Sequence, residues 1–225
     1  MIAVLIPTRG TVFTRAIESV LDQAPKDTLY FFTHDLPIPD CRNALLRMAM
    51  DSEADVFLML DDDNILPEGG LKKLLDSKAD IAFLDYPSHF MGSNKKRGVT
   101  VYDNYREGWE VDITKVIFSG LGCVRITREA VLKLGYPEWE FRKGGQLFDR
   151  DERGKMVLYG VAGGDGGEDF EFFMDAKEKG LTIEQIPNTY AGHAKIMRHV
   201  GVVQPGKYIT THDIHYAFEV EKPVK

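Results

Sequence analysis

The chain has 225 residues, 44% of them hydrophobic and 28% charged, a balance that suits one large domain or two small ones with about 70% of the unfolded surface buried. Its formal charge of −7, from 28 basic and 35 acidic residues, speaks against a broadly basic nucleic-acid surface but leaves room for a local basic groove. The two cysteines, Cys41 and Cys123, form no CxxC and no zinc spacing, which points to a reducing, cytoplasmic setting.

The opening MIAVLIPTRG holds a short apolar run with no basic leader, stopped by Pro7. It is too short for a signal peptide or a membrane span, so Ile2–Ile6 reads as a first strand buried on both faces. PTRG is the loop at its end, and TRAIESVLDQA places Ile17, Val20, Leu21 and Ala24 on one helical face. TLYFFT is a second strand, aromatic and β-branched. In IPDCRNALLRMAM, Asp40 is expected to cap a helix with Ala44, Leu45, Met48 and Ala49 inward. Val56–Leu60 is a third strand, Pro67 opens a helix through EGGLKKLLDSK, and IAFLDY is a fourth strand. This βαβαβαβ order predicts a parallel sheet covered by helices, with right-handed crossovers. Ligands in such folds sit outside the carboxyl ends of the strands, where PTRG, THD and DDDN all fall.

The pattern loosens after Tyr86. A loop with a basic tip, Lys95, Lys96 and Arg97, leads to short exposed strands, and VIFSGLGCVRIT reads as one more strand. REAVLKLG is a helix capped by Thr127 and ended by Gly135. Residues 136–167 are aromatic, glycine-rich and without clear period; Tyr136, Trp139 and Phe141 there suit either core packing or stacking on a sugar. EDFEFFMDAKEKG is a helix with Phe170, Phe173, Met174 and Lys177 on one face, and LTIEQIP a short edge strand. One domain is expected: a regular half over 1–86, a less regular half over 87–195, and a tail over 196–225.

The sharpest local signal is LMLDDDN, an apolar strand running directly into Asp61, Asp62 and Asp63. A core needs no charge at that point, and clustered carboxylates repel one another unless a cation joins them. A solvated turn is the plain alternative. Two carboxylates one residue apart can converge on a hard cation such as Mg2+ or Mn2+.

VLIPTRG, CRNALL, LMLDDDN, SGLGCVRITREAVLKLG, GEDFEFFMDAKEKG and GHAK stand in an order that resembles GT-A-fold nucleotide-sugar glycosyltransferases, especially the large inverting family 2. The resemblance covers roughly 1–195. It implies an α/β, Rossmann-like, mostly parallel sheet flanked by helices, with a less regular acceptor-side second half, and transfer of one sugar, most often from a UDP-sugar, to an acceptor hydroxyl on a saccharide, a lipid-linked group or another molecule, nucleic acid included. It implies Mn2+ or Mg2+ held by Asp63 and His193, with Asp61 toward the ribose and Asp62 in the variable middle. Pro7, Thr8, Arg9, Asp35, Arg42 and Asn43 fall where the family meets the nucleotide, and Lys195 near the diphosphate. Asp169 takes the place of the general base, with Glu168 beside it; plain helix capping is the alternative for both. His212 and His215, three apart in THDIH, either form a competing metal site or simply line one helical turn. A retaining enzyme, a sugar-phosphate nucleotidyltransferase and a non-catalytic binding scaffold are the competing functions. The nucleotidyltransferase would want a more glycine-rich loop than PTRGTVFTR, and the scaffold a loss of acids.

Overall fold

The computed structural model describes residues 1–8, 10–88, 97–98, 101–102, 116–142, 146–150, 156–161, 167–198 and 212–217. Ile2–Pro7 (β1), Thr14–Leu21 (α1), Leu29–Thr33 (β2), Ile38–Asp51 (α2) and Val56–Leu60 (β3) follow the expected alternation. The short β4 (Asn64–Ile65) lies just past the acidic turn, before α3 (Gly70–Asp76) and β5 (Ile81–Asp85). Two small ladders come next, β6 (Pro87–Ser88) with β7 (Arg97–Gly98) and β8 (Val101–Tyr102) with β9 (Val116–Phe118). β10 (Cys123–Thr127), α4 (Arg128–Leu134), β11 (Gln146–Arg150), β12 (Met156–Val161), α5 (Glu168–Glu178), β13 (Ile183–Tyr190), β14 (Gly192–Arg198) and β15 (His212–Ala217) complete the order.

The central sheet runs β13-β5-β10-β3-β1-β2. β1 pairs in parallel with β2 and β3, and β13 with β5, while β10 is antiparallel to both its neighbours. The sheet is thus mostly parallel, as expected, with β10 alone among its strands reversed. The cause is topological: the chain leaves β5 at the carboxyl edge and re-enters at that edge, so the inserted strand must run back. The apolar stretch read as one strand is accordingly two, β9 and β10, with a turn at Leu121–Gly122 between them.

Period-two alternation splits β1 between two cores. Ala3 and Leu5 face a layer with Leu45, Leu46 and Ala49 of α2, Val131 of α4 and Phe172 and Phe173 of α5. Ile2, Val4 and Ile6 face Val20 of α1 and Leu71 and Leu74 of α3. The helix ends carry local reasons and local corrections. Thr127 accepts from the Ala130 N–H at 3.1 Å, and Gly135 takes the left-handed backbone (φ 119) that stops α4. Asp40 does not cap α2; Pro37 precedes the helix and Asp40 lies inside its first turn, where a negative charge suits the positive end. On α5 the buried residues are Glu168, Phe170, Phe172, Phe173 and Ala176, a wider face than the predicted stripe, and Phe172 stacks on Phe141. Residues 136–167 contain the β11–β12 hairpin that their composition hides. In the tail, β15 pairs with β14, and β14 with β4. No helix among the described residues is long and apolar enough to cross a membrane.

Candidate functional site

The acidic turn at the end of β3 is held by backbone on three sides. The Asp61 N–H donates to the Gly122 carbonyl at 2.9 Å, the Asn64 N–H closes the turn on the Asp61 carbonyl at 3.1 Å, and the Phe13 N–H reaches the Asp62 carbonyl at 3.0 Å. β14 then crosses the turn: Asn64 is in register with His193, and the Ala194 N–H donates to the Asp63 carbonyl at 2.7 Å. This pairing delivers the half-buried His193 to Asp63, with Nε2 at 3.1 Å from Oδ2.

Arg42 rises from the first half of α2 beneath the same turn and is buried. Its Nη2 donates to Asp61 Oδ1 at 2.9 Å, and its Nε lies 3.5 Å from Glu168 Oε1. One guanidinium thus ties the β3 turn to the start of α5. Burial works against that charge, but Asp61, Asp169 and Glu168 together outweigh it and hold Arg42 protonated. Burial pushes the Asp61 carboxyl up; Arg42 pulls it back, and Asp63 adds to the rise. Asp169, second in α5, is pushed up to about 8 by burial and by Glu168, against the pull of Arg42. Its Oδ1 is shut off from solvent without a hydrogen-bond partner among the described residues, while the Leu121 backbone N–H bonds its carboxyl. Such a carboxyl can hold or release a proton near neutral pH.

Two residues at the centre of the site went unnoticed in the sequence. Gly122 sits so close under the turn that a Cβ there would meet Asn64 Nδ2 at 2.1 Å, the Tyr86 hydroxyl at 2.8 Å and Asp61 Oδ2 at 2.9 Å. Only glycine fits, and the GLG run was the available signal. Tyr86, one residue past β5, is buried; its hydroxyl oxygen accepts from the Gly122 N–H at 3.3 Å and its ring meets His193 edge-on. Burial, with Asp61 and Asp169 adding, holds this hydroxyl well above the ordinary phenol range. Asn64 is fully buried with both amide atoms lacking a hydrogen-bond partner among the described residues.

The remaining predicted residues fall as follows. Pro7 ends β1 and Thr8 is buried, its Oγ1 accepting from the Gly10 N–H at 2.9 Å; Arg9 lies outside the described residues. Asp35 is exposed past β2, with φ 62, and its carboxylate meets His34 Nδ1 at 2.7 Å. Asn43 spends its amide on one partner: Nδ2 donates to the Phe141 carbonyl at 2.9 Å and Oδ1 accepts the Phe141 N–H at 2.7 Å. That bond seats the Tyr136–Phe141 segment, where Trp139 and Phe141 pack with Phe172, so these aromatics belong to the core. Lys195 lies on β14 opposite His215. His212 and His215 lie on a strand, not on a helical turn, so their spacing of three does not give one face. Arg97 is in β7; Lys95 and Lys96 lie outside the described residues, as does most of the glycine run before α5.

No protein-family model matches the chain, and no curated protein matches it. Solved structures do. A197 from STIV aligns with a TM-score of 0.54 at 19% identity, covering 85% of this chain and 84% of that one. TarS 1-349 from S. aureus, in complex with UDP-GlcNAc, aligns with a TM-score of 0.50 at 12% identity, over 84% of this chain and 57% of that one. The architecture is GT-A. In this GT-A chain the edge of the sheet that carries Asp61, Asp63, Arg42 and Glu168 is the carboxyl edge of β3, where α/β folds place ligands.

The donor types fit a divalent cation. Asp63 and His193 present an oxygen and a nitrogen 3.1 Å apart, acceptable to Mn2+ and, through the carboxylate, to Mg2+. No group of three or more His, Cys, Asp and Glu among the described residues is arranged to hold a metal ion, so the protein side of any such site is this pair. A pair of this kind suits an ion that keeps most of its positions for ligand and water oxygens.

Proposed function

We propose that this chain is a single GT-A-like catalytic domain of the inverting family 2 type, moving one sugar from a nucleotide-diphosphate sugar, preferably a UDP-sugar, to an acceptor hydroxyl. The observation that carries the reading is one sheet edge bearing two acidic centres with different surroundings. Asp63 stands with His193; Asp169 and Glu168 open α5; and the buried Arg42 links the second centre to Asp61. The UDP-GlcNAc complex of the fold-mate TarS supports a nucleotide-sugar ligand in this architecture.

Bound by Asp63 and His193, Mn2+ or Mg2+ would neutralise charge on the departing diphosphate. Asp61, its rotamer held by Arg42, faces the ribose. Pro7, Thr8 and Asp35 line the base side and Asp62 borders it, while Arg9 and Lys195 keep the nucleotide roles that the resemblance implies. Asp169 accepts the acceptor's hydroxyl proton as that oxygen attacks the anomeric carbon from the face opposite the diphosphate. A carboxyl pushed up to about 8 is a stronger base than an ordinary one and still ionises in the working range. Glu168, paired to Arg42, holds the start of α5 in place. Asn43 supports the Phe141 segment rather than the nucleotide. The acceptor is a hydroxyl-bearing saccharide, a lipid-linked group or a nucleic acid. The free, buried Cys41 and Cys123 suit a cytoplasmic site.

A thermal-shift screen of nucleotide sugars with and without Mn2+ identifies the donor, and NMR of the product reads its anomeric configuration. Inversion is expected. A product that retains the donor's configuration would remove the base role from Asp169.

A further inference from the structure

We propose that Tyr86 is a positioning residue that sets the orientation of the His193 imidazole and so forms the Asp63–His193 donor pair; the proposal rests on the metal-dependent reading above. Tyr86 is held at both ends. Its backbone N–H donates to the Asp85 carboxylate at 3.0 Å, and its hydroxyl oxygen accepts from the Gly122 N–H at 3.3 Å. At 6% exposure it has little freedom to swing. The ring therefore presents a fixed wall at the carboxyl end of β5.

His193 needs such a wall. Its backbone is placed by the ladder, opposite Asn64 on one side and Ala217 on the other. The ladder does not choose the ring's rotation, because the terminal torsion of histidine is broad and roughly two-fold. Against Tyr86 the choice narrows: the two rings meet edge to face, with centroids 5.3 Å apart and planes at 78°, the arrangement that aromatic quadrupoles favour. In that rotation Nε2 points at Asp63 Oδ2, 3.1 Å away. The hydroxyl does a separate job. It meets Gly122, whose carbonyl receives the Asp61 N–H at 2.9 Å, so the same side chain spans the His193 arm and the Asp61 arm of the site. Ring and hydroxyl can be separated by substitution.

The first measurement needs no metal. In wild type the His193 ring protons should show a ring-current displacement by NMR, kept in Tyr86→Phe and lost in Tyr86→Leu. The second is Mn2+ affinity by electron paramagnetic resonance with UDP present. Tyr86→Phe should stay within about twofold of wild type, and Tyr86→Leu should weaken binding about 10-fold or more, the scale of losing a group that orients a metal ligand. In a His193→Ala background Tyr86→Leu should cause no further loss, because its effect passes through His193. An equal loss in both backgrounds would make Tyr86 merely structural and overturn the proposal. So would a wild-type His193 signal with no displacement, which decides the matter even where Tyr86→Leu fails to fold. If wild type binds no Mn2+ with UDP while the His193 displacement is present, the transferase reading fails and the positioning role stands.

Discussion

Replacing Arg42 by Met keeps most of the apolar stem and removes the charge. The guanidinium it removes is buried, donates to Asp61 at 2.9 Å and stands 3.5 Å from Glu168. Breaking a buried pair from one side costs about 3–5 kcal/mol; at about 2–4 °C per kcal/mol for a chain of this size, Tm should fall by roughly 6–20 °C. The deficit carries a pH signature. Burial raises both Asp61 and Asp169, and Arg42 pulls both back. Already in wild type, between the ordinary carboxylate range and about 8, the folded chain keeps a proton on Asp169 that the unfolded chain has released, so stability falls as pH rises through that window. Without Arg42 both carboxyls rise further and the fall steepens. Calorimetric melting of wild type and Arg42→Met should therefore show a smaller gap at about pH 5 than at about pH 8. An equal gap at the two pH values, or a Tm loss under about 2 °C, would refute the idea that Arg42 compensates these carboxylates.

Asp169→Asn should leave nucleotide affinity intact and lower kcat by about 10² or more, and it should flatten the decline of Tm between about pH 5 and 8; unchanged turnover would rule out the base role. Gly122→Ala places a Cβ 2.1 Å from Asn64 Nδ2. Overpacking of this kind costs about 1–3 kcal/mol, and UDP affinity by calorimetry should weaken because Asp61 and Asn64 must move; a variant equal to wild type in both would show that the turn has room to spare. Asn43→Ala strands the Phe141 N–H and carbonyl and should cost about 1–3 kcal/mol by denaturant melting, with UDP affinity unchanged. A selective loss of UDP binding there would return Asn43 to the nucleotide.

The first half of the fold is legible because its signals are local. Ile2–Ile6 and Val56–Leu60 are continuous apolar runs, α4 has its Thr127 cap and its Gly135 stop, and the change from LML to DDD marks a strand end. β10 is not legible in the same way. Its composition reads as a strand, but its insertion between β3 and β5 and its reversed direction depend on where the chain re-enters the sheet. The apolar run from Val116 hid a break, since Gly120 and Gly122 were read inside a strand whereas Gly122 is the close approach to Asp61 and Asn64. Arg42 stands in the CRN run that carries part of the resemblance, yet its partners Asp61 and Glu168 lie far along the sequence and follow from no spacing. Asn43 shows the same limit: its partner, Phe141, is 98 residues away. Tyr86 looked like the end of a strand because nothing local says that His193 and Gly122 will meet it.

Asp63, with His193, is expected to make nucleotide binding depend on a divalent cation. Calorimetry of UDP binding to wild type and to Asp63→Ala, each with and without Mn2+, tests it most directly. Wild type should bind UDP with Mn2+ and at least about 10-fold more weakly without it, and Asp63→Ala should melt like wild type yet gain nothing from Mn2+. Equal UDP affinity with and without Mn2+ in wild type, or a full Mn2+ response in Asp63→Ala, would contradict the account.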